Sequence, residues 1–341
     1  MMRIGIFGYG NLGRGAAAAA MAAADMELCG IFTRRDPAAL GGVPEGVPVY
    51  AADSVAAYRG AFDVLLLCGG SADDLPRQTP LLARAFSVVD SFDTHAKIPA
   101  HFAAVDTAAR AGGHVALISA GWDPGLFSLM RLYAEAALPR GKTYTFWGAG
   151  VSEGHSDAAR RVPGVADARA YTLPVVDALS AVRKGETPPL SPREMHRRVC
   201  YVVPAPDADT AAITRAICTM PAYFADFDTE VHFITQEEMA RDHAALPHGG
   251  CMLRNGDAGG DCGMEFSLRL SSNPAFTGGV LVACARAVCR AAARATSSIT
   301  PESMSASPWT TQTRSTPSIC ESDNSMPDNV RRPLLTVRAA S

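Results

Sequence analysis

The sequence predicts an α/β protein, a doubly wound parallel sheet followed by an α+β region built on an open mixed sheet. Three observations carry this. An apolar strand, Arg3-Ile4-Gly5-Ile6-Phe7, runs directly into Gly8-Tyr9-Gly10-Asn11-Leu12-Gly13. Apolar runs then alternate with helical stretches from residue 3 to about 118. Beyond residue 119 the strand-like segments lie closer together and their patterning becomes antiparallel in character.

The first strand and its glycines form a dinucleotide fingerprint. Gly8 supplies a tight turn, Gly10 lets backbone approach a pyrophosphate, and Gly13 lets the following helix pack on the strand. A helix read over residues 16–24 follows, so phosphates would sit on a helix N-terminus, where backbone N–H groups and the helix dipole favour negative charge. A second strand, Leu28-Cys29-Gly30-Ile31-Phe32, leads to Thr33-Arg34-Arg35. An NAD site carries Asp or Glu there to accept from the ribose 2′-hydroxyl. Two guanidinium groups at a strand end suit a 2′-phosphate instead. The opening therefore reads as a Rossmann-type domain for NADP(H), with Gly8, Gly10, Asn11, Leu12, Gly13, Thr33, Arg34 and Arg35 as cofactor contacts.

Three further apolar runs continue the sheet: Asp63-Val64-Leu65-Leu66-Leu67-Cys68, Ser87-Val88-Val89-Asp90 and His114-Val115-Ala116-Leu117-Ile118. Runs without alternation fit parallel strands covered on both faces. In the second region, strands are read over residues 143–147, 169–173, 199–203, 230–234 and 264–270, with helices over 175–183, 209–218 and 236–243. A helix rich in Ala, Val and Leu is read from 274 to about 293. Nearly half of residues 296–341 are Ser, Thr or Pro, and apolar periodicity is lost, which predicts a poorly ordered tail. The expected division is a cofactor domain over 1–118 with about 274–295 packing back, a substrate-binding and dimerisation domain over 119–273, and the atypical tail.

Composition bounds the partners. A net charge of −3 over 341 residues gives no sign of a nucleic-acid or anionic-membrane partner. No segment is read as long and apolar enough to span a bilayer, and the chain enters a strand almost at once, with no signal peptide expected. Nine cysteines are scattered without Cys-x-x-Cys pairs, against a zinc site or a disulfide framework, and consistent with a reducing cytoplasm.

Polar groups concentrate in loops at predicted strand ends. Asp90-Ser91-Phe92-Asp93-Thr94-His95 and Ser119-Ala120-Gly121-Trp122-Asp123-Pro124-Gly125 both follow cofactor-domain strands. Their carboxylates suit a substrate ammonium; Asp93 and Asp123 equally suit local turn and capping chemistry. A third loop, read over residues 147–157, holds three glycines and the pair His155 and Asp157, either a base pair or an ordinary surface loop. Leu246-Pro247-His248-Gly249-Gly250 reads as a polar turn. In Arg197-Arg198-Val199-Cys200-Tyr201 a strand sends one arginine to each face, and one of them suits a carboxylate.

These segments together resemble the NADP-dependent meso-diaminopimelate dehydrogenases of lysine biosynthesis. The matching stretches include Gly8 to Arg14, Gly30 to Arg35, Leu67-Cys68-Gly69-Gly70-Ser71-Ala72-Asp73, Val89 to His95, Gly121 to Gly125, Thr145-Phe146-Trp147-Gly148, Gly154-His155-Ser156-Asp157-Ala158, Arg160 to Val165, Tyr171-Thr172-Leu173-Pro174 and Pro247 to Gly250. The resemblance implies oxidative deamination at the D-centre of meso-2,6-diaminoheptanedioate by a homodimer, giving L-2-amino-6-oxoheptanedioate, ammonia and NADPH. It implies substrate contacts at Asp90, Asp93, Trp122, Asp123, Trp147, Ser152, Glu153, Gly154, Thr172, Arg198, His248 and Asn273, with Asp93 and Asp123 as the ammonium ligands that carry catalysis. It adds Cys68, Gly69, Gly70, Ser71, Ala72, Phe92, Thr94, Gly121, Asp123, Pro124 and Gly125 to the cofactor contacts. Glu153 departs from the Gln or Met common in the family. The resemblance ends near Arg290, where the family continues with an apolar segment; a frameshift or a divergent tail would each produce that change. Alternative readings are another NADP-linked amino-acid dehydrogenase, a dihydrodipicolinate-reductase-like enzyme, or a non-catalytic NADP(H)-binding protein.

Overall fold

A computed structural model describes residues 1–221 and 223–296. The expected tail therefore lies outside the described residues. The chain divides into two compact units, Met1–Leu126 with the chain from Thr277, and Phe127–Phe276. The first unit thus runs eight residues past the expected limit at 118 and takes in the loop that carries Trp122 and Asp123.

The first unit is a six-stranded sheet, all neighbours parallel, with flanking helices. Its elements are β1 (Met2–Phe7), α1 (Asn11–Met21), β2 (Met26–Thr33), β3 (Val49–Ala51), β4 (Val64–Leu67), α2 (Leu75–Ala83), β5 (Val88–Asp90), α3 (Ile98–Gly112) and β6 (Ala116–Leu117). The strand order is β3-β2-β1-β4-β5-β6. The chain leaves β1 toward β2 and β3, then returns to its other side with β4. This switch point opens a crevice at the carboxyl ends of β1 and β4, the standard ligand position in such sheets. In β4, Val64 and Leu66 join one buried cluster and Leu65 and Leu67 the other. Both faces are covered, which is why the run shows no polar alternation.

α1 begins at Asn11, five residues ahead of the start read from the sequence, because the glycines belong to its first turn. The helix Asn273–Thr296 belongs to this unit from Thr277 on. Its Leu281, Val282, Ala285 and Val288 are buried in one cluster with Ala16, Ala17 and Ala20 of α1. A Cβ on Gly278 would lie 2.4 Å from the Ala16 nitrogen, so the two helix backbones meet closely there. Arg286 adds a two-pronged ion pair to Asp25 at 2.8 and 2.7 Å. Contrary to the sequence reading, a 22-residue stretch of this helix, Asn273–Arg294, is long and apolar enough by length and composition to cross a bilayer, with mean hydropathy 1.4. Its arginines interrupt the run without lowering the average enough to exclude it.

The second unit holds two sheets. Its elements are α4 (Phe127–Ala137), β7 (Gly141–Trp147), β8 (Gly150–Val151), α5 (Glu153–Arg160), β9 (Val165–Pro174), α6 (Val176–Arg183), α7 (Pro192–Met195), β10 (His196–Pro204), α8 (Thr210–Cys218), β11 (Asp228–Phe233), α9 (Gln236–Asp242), β12 (His248–Asp257) and β13 (Asp261–Leu270). The mixed sheet has the order β11-β10-β9-β8, with β10 and β11 parallel and the other pairs antiparallel. A separate antiparallel sheet, β13-β12-β7, was not foreseen. Its central strand starts at His248, within the segment read as a polar turn. A Cβ on Gly250 would come within 2.5 Å of the Phe146 carbonyl oxygen. The glycine there serves close strand approach rather than a turn.

Candidate active site

The three fingerprint glycines occupy distinct environments. Gly8 has φ +97, and a Cβ there would press on the Cys68 backbone at 3.2 Å. A Cβ on Gly13 would lie 2.2 Å from the Gly8 carbonyl oxygen, so only glycine lets α1 start against β1. The space above Gly10 is open. No side chain caps α1 and its first turn carries no acidic residue, which leaves its positive end for an anion. These features fit a dinucleotide pyrophosphate.

A cleft of about 290 Å³ opens beside these glycines, lined also by Thr33, Arg34, Arg35, Gly69, Asp74 and Gln78. The Thr33 hydroxyl accepts from the Arg35 N–H at 3.1 Å, and the Arg35 guanidinium donates to the Tyr9 carbonyl. Arg34 forms a two-pronged pair with Asp74 at 2.8 and 2.9 Å. Cys68 also lines the cleft, but burial pushes its thiol up to about 12, so it packs rather than reacts.

The loops after β5 and β6 are tied to one residue, and here the sequence reading needs correction. The resemblance implies a substrate contact at Asp90. This residue is 0 % exposed, and its carboxylate accepts from Thr79 Oγ1 (2.7 Å), the Phe92 N–H (3.1 Å) and the Ser119 N–H (2.8 Å), and bonds His101 Nε2 (2.7 Å). Its backbone carbonyl also accepts from the Ala120 N–H at 2.8 Å. A buried carboxylate so fully used anchors the loops instead of presenting itself to a ligand. Asp93, three residues on, is exposed, and its N–H donates to Ser71 Oγ at 3.1 Å, joining the loop after β4 to the loop after β5. Phe92 is buried and stacks on His101 at 4.2 Å, while Thr94 is half-buried. Asp123 is half-buried and extended between buried Trp122 and Pro124, in a turn closed by the Leu126 N–H on the Gly121 carbonyl at 2.9 Å. Gly125 sits at φ +123 in the same turn.

The second unit gathers another group of predicted residues. Arg198 on β10 pairs with Thr172 on β9, which pairs with Gly150 on β8. The Arg198 guanidinium donates to Thr172 Oγ1 and lies over the Phe227 ring at 4.1 Å. It is 5 % exposed, burial draws its pKa down to about 10, and its Nε has no partner among the described residues. A buried, still cationic fork with a spare donor suits a carboxylate. Arg197 points to the other face and pairs with Glu230 at 3.2 Å.

Two histidines shape this group, and both were missed in these roles. His196 accepts from the Trp147 N–H at 2.8 Å and stacks on its indole at 5.1 Å. His155 bonds Ser152 Oγ through Nδ1 at 2.6 Å and is enclosed edge-on by Tyr223 and Phe224. Burial first, then the Arg198 charge, lowers both imidazoles to about 3, so both are neutral at pH 7. The suggested His155–Asp157 base pair does not form: Asp157 pairs with Arg161 at 2.6 Å. The segment read as a glycine loop is instead the short strand β8 and the helix α5. Glu153 and Gly154 begin α5 and are exposed, His248 opens β12, and the Asn273 N–H bonds the Leu246 carbonyl at 3.0 Å.

The chain is similar to several known proteins. The family model of the diaminopimelic acid dehydrogenase C-terminal domain matches residues 121–272. A meso-diaminopimelate D-dehydrogenase of Ureibacillus thermosphaericus is 54 % identical over 291 residues, 85 % of this chain and 89 % of that protein. The Corynebacterium glutamicum diaminopimelate dehydrogenase, solved in complex with diaminopimelate, superposes with TM-score 0.81 at 43 % identity, over 86 % of this chain and 90 % of the other. An engineered D-amino acid dehydrogenase bound to NADP+ superposes with TM-score 0.78 at 41 % identity, over 86 % and 90 % of the two chains. By this extent of identity, the chain belongs to the meso-diaminopimelate D-dehydrogenase family of oxidoreductases.

Proposed function

We propose that the protein catalyses the NADP-dependent oxidative deamination of meso-2,6-diaminopimelate at its D-centre, with NADP+ and water consumed and L-2-amino-6-oxoheptanedioate, ammonia, NADPH and a proton formed, reversibly. The observation that carries this reading is 54 % identity to a relative of that activity across 85 % of the chain. The open glycine cleft with Arg34 and Arg35 at its rim supports NADP(H) as the partner dinucleotide. Reducing-compartment chemistry is supported by the eight described cysteines, all unpaired, and we infer a cytoplasmic homodimer as in the family reading.

When bound, the nicotinamide supplies the hydride acceptor. The chain's own residues must hold the amine, strip its proton and keep the two ends of the substrate apart. Asp93 and Asp123 take the ammonium of the D-centre. One of them, directly or through water, receives the proton that must leave nitrogen before the C–H bond breaks. Asp90 does not touch substrate; it fixes the backbone on which Asp93 and Asp123 stand. Arg198, with Thr172, takes the carboxylate of the other end, so the two ends of the substrate are read by different groups and the L-centre does not exchange with the D-centre. Trp147, fixed by His196, supplies an apolar wall. Ser152, Glu153, Gly154, His248 and Asn273 complete the contacts.

NADP+ reduction followed with meso-, LL- and DD-diaminopimelate separately tests the proposal. The meso isomer is the expected substrate and the LL isomer is expected to be inert. Turnover of LL, or none of meso with a different D-amino acid oxidised in its place, would transfer the chain to another dehydrogenase reading.

A further inference from the structure

The dinucleotide cleft has two walls of opposite hydrogen-bond character. The end of β2 brings donors, Arg34 and Arg35. The start of α2 brings acceptors, the Asp74 carboxylate and the Gln78 side-chain oxygen. A latch joins them: Arg34 gives both terminal nitrogens to Asp74 at 2.8 and 2.9 Å. Asp74 is itself seated on the loop after β4, where it accepts from the Gly70 N–H at 3.2 Å. Gln78 Oε1 is buried against Gly69 and has no partner among the described residues. An unpaired buried acceptor in a ligand cleft calls for a donor on the ligand.

We propose that Asp74 is a specificity-determining residue that competes with the ribose 2′-phosphate for Arg34, and so narrows the preference for NADP+ over NAD+. This rests on the NADP reading of the cleft. NAD sites place a carboxylate where the ribose 2′-hydroxyl donates, normally from the end of the second strand. This chain has arginines at that strand end and carries a carboxylate opposite them, on the loop before α2. A guanidinium whose fork is spent on Asp74 cannot offer the same fork to a phosphate. The Arg34 side chain is 67 % exposed, so its ion pair is weak and a dianionic phosphate takes it over. Asp74 then keeps only its Gly70 N–H bond and faces the phosphate as a like charge, at a cost the 2′-hydroxyl of NAD+ does not incur. With NAD+, the latch stays closed and Asp74 still offers an acceptor.

Dissociation constants of NADP+ and NAD+, measured by titration calorimetry on the full chain, test this for wild type, Asp74→Asn and Asp74→Ser. Both replacements keep a short polar side chain ahead of α2 and remove the charge. The expected result is NADP+ binding tighter by about fivefold, NAD+ binding unchanged or weaker, and a preference ratio raised by about five- to tenfold in both variants. Weaker NADP+ binding in the variants would mean that Asp74 orients Arg34 for the phosphate, and would overturn the proposal. An unchanged ratio would overturn it as well. A wild type that does not favour NADP+ at all would count against the NADP reading itself, whereas a wild-type preference that the variants fail to raise counts against Asp74 alone.

Discussion

Two sites, one in each unit, handle charge in opposite ways. At the rim of the first unit's crevice charged groups reach solvent: Arg34 of the cofactor cleft is paired but exposed, and Asp93 on the loop after β5 is exposed. In the second unit the cation is interior. Arg198 is buried against Phe227, and the histidines near it are stripped of charge. Exposed charges are screened and free to change partners when a ligand arrives. Buried ones are set in advance, and removing a partner leaves an uncompensated group. The first arrangement suits a cosubstrate that must enter and leave each cycle. The second suits fixed reading of one end of a small dicarboxylate.

Substitutions can break or sharpen this contrast. The largest effect is expected from Asp123→Asn, which keeps size and removes one of the two carboxylates that take the ammonium: kcat/KM for meso-diaminopimelate falls by about a thousandfold. A loss of only a few-fold would remove Asp123 from that role. Arg198→Met should cost about a hundredfold, mainly in KM, since it removes a buried carboxylate partner of similar length. Steady-state kinetics at saturating NADP+ separate the two parameters. A kcat loss with KM unchanged would place Arg198 near the reacting centre instead.

Asp90→Asn tests the anchor. An amide cannot accept from every donor that converges on this carboxylate, so stability falls by about 1–3 kcal/mol in a thermal melt. A silent substitution would contradict the anchoring role.

The buried histidines predict an acid-sensitive second unit. Their folded pKa values, about 3, lie below the ordinary 6.5. Above pH 6.5 neither state carries the protons and the full stability is present. As pH falls from 6.5 toward 3 the unfolded chain protonates first, so stability drains away. By pH 5 the loss is on the order of 1–2 kcal/mol per histidine. His155→Phe, which still fills the space between Tyr223 and Phe224, should flatten the change in Tm between pH 7 and pH 5. The smallest effect is expected at the exposed end of the comparison. Arg34→Ala weakens NADP+ by about tenfold at low ionic strength and by less as salt is raised. A salt-independent loss would mean that Arg34 is more enclosed in the complex than its exposure suggests.

What was legible in the sequence follows the same division. Gly8, Gly10 and Gly13 act through their backbone, at fixed spacing after a strand, so residue type alone reveals them. The parallel strands were legible because a run buried on both faces is apolar throughout. The second unit hid its elements where glycine serves packing. Gly148, Gly150 and Gly154 made β8 and α5 resemble a loop, and Gly249 and Gly250 disguised the start of β12. Asp90 and Asp93 look alike in sequence; one is sealed by Thr79 and His101 from distant helices and the other is open, a difference that only tertiary burial decides. His155 and His196 were missed in their positioning roles because their partners, Ser152 and Trp147, are ordinary residues until the fold sets them in place.

The most direct test is to follow the hydrogen. With meso-diaminopimelate deuterated only at the D-centre α-carbon, NADP+ reduction should show a primary isotope effect well above unity, and the deuterium should appear in NADPH. Label retained in the carbon product, with no isotope effect, would contradict oxidation at the D-centre and with it the roles assigned to Asp93, Asp123 and Arg198.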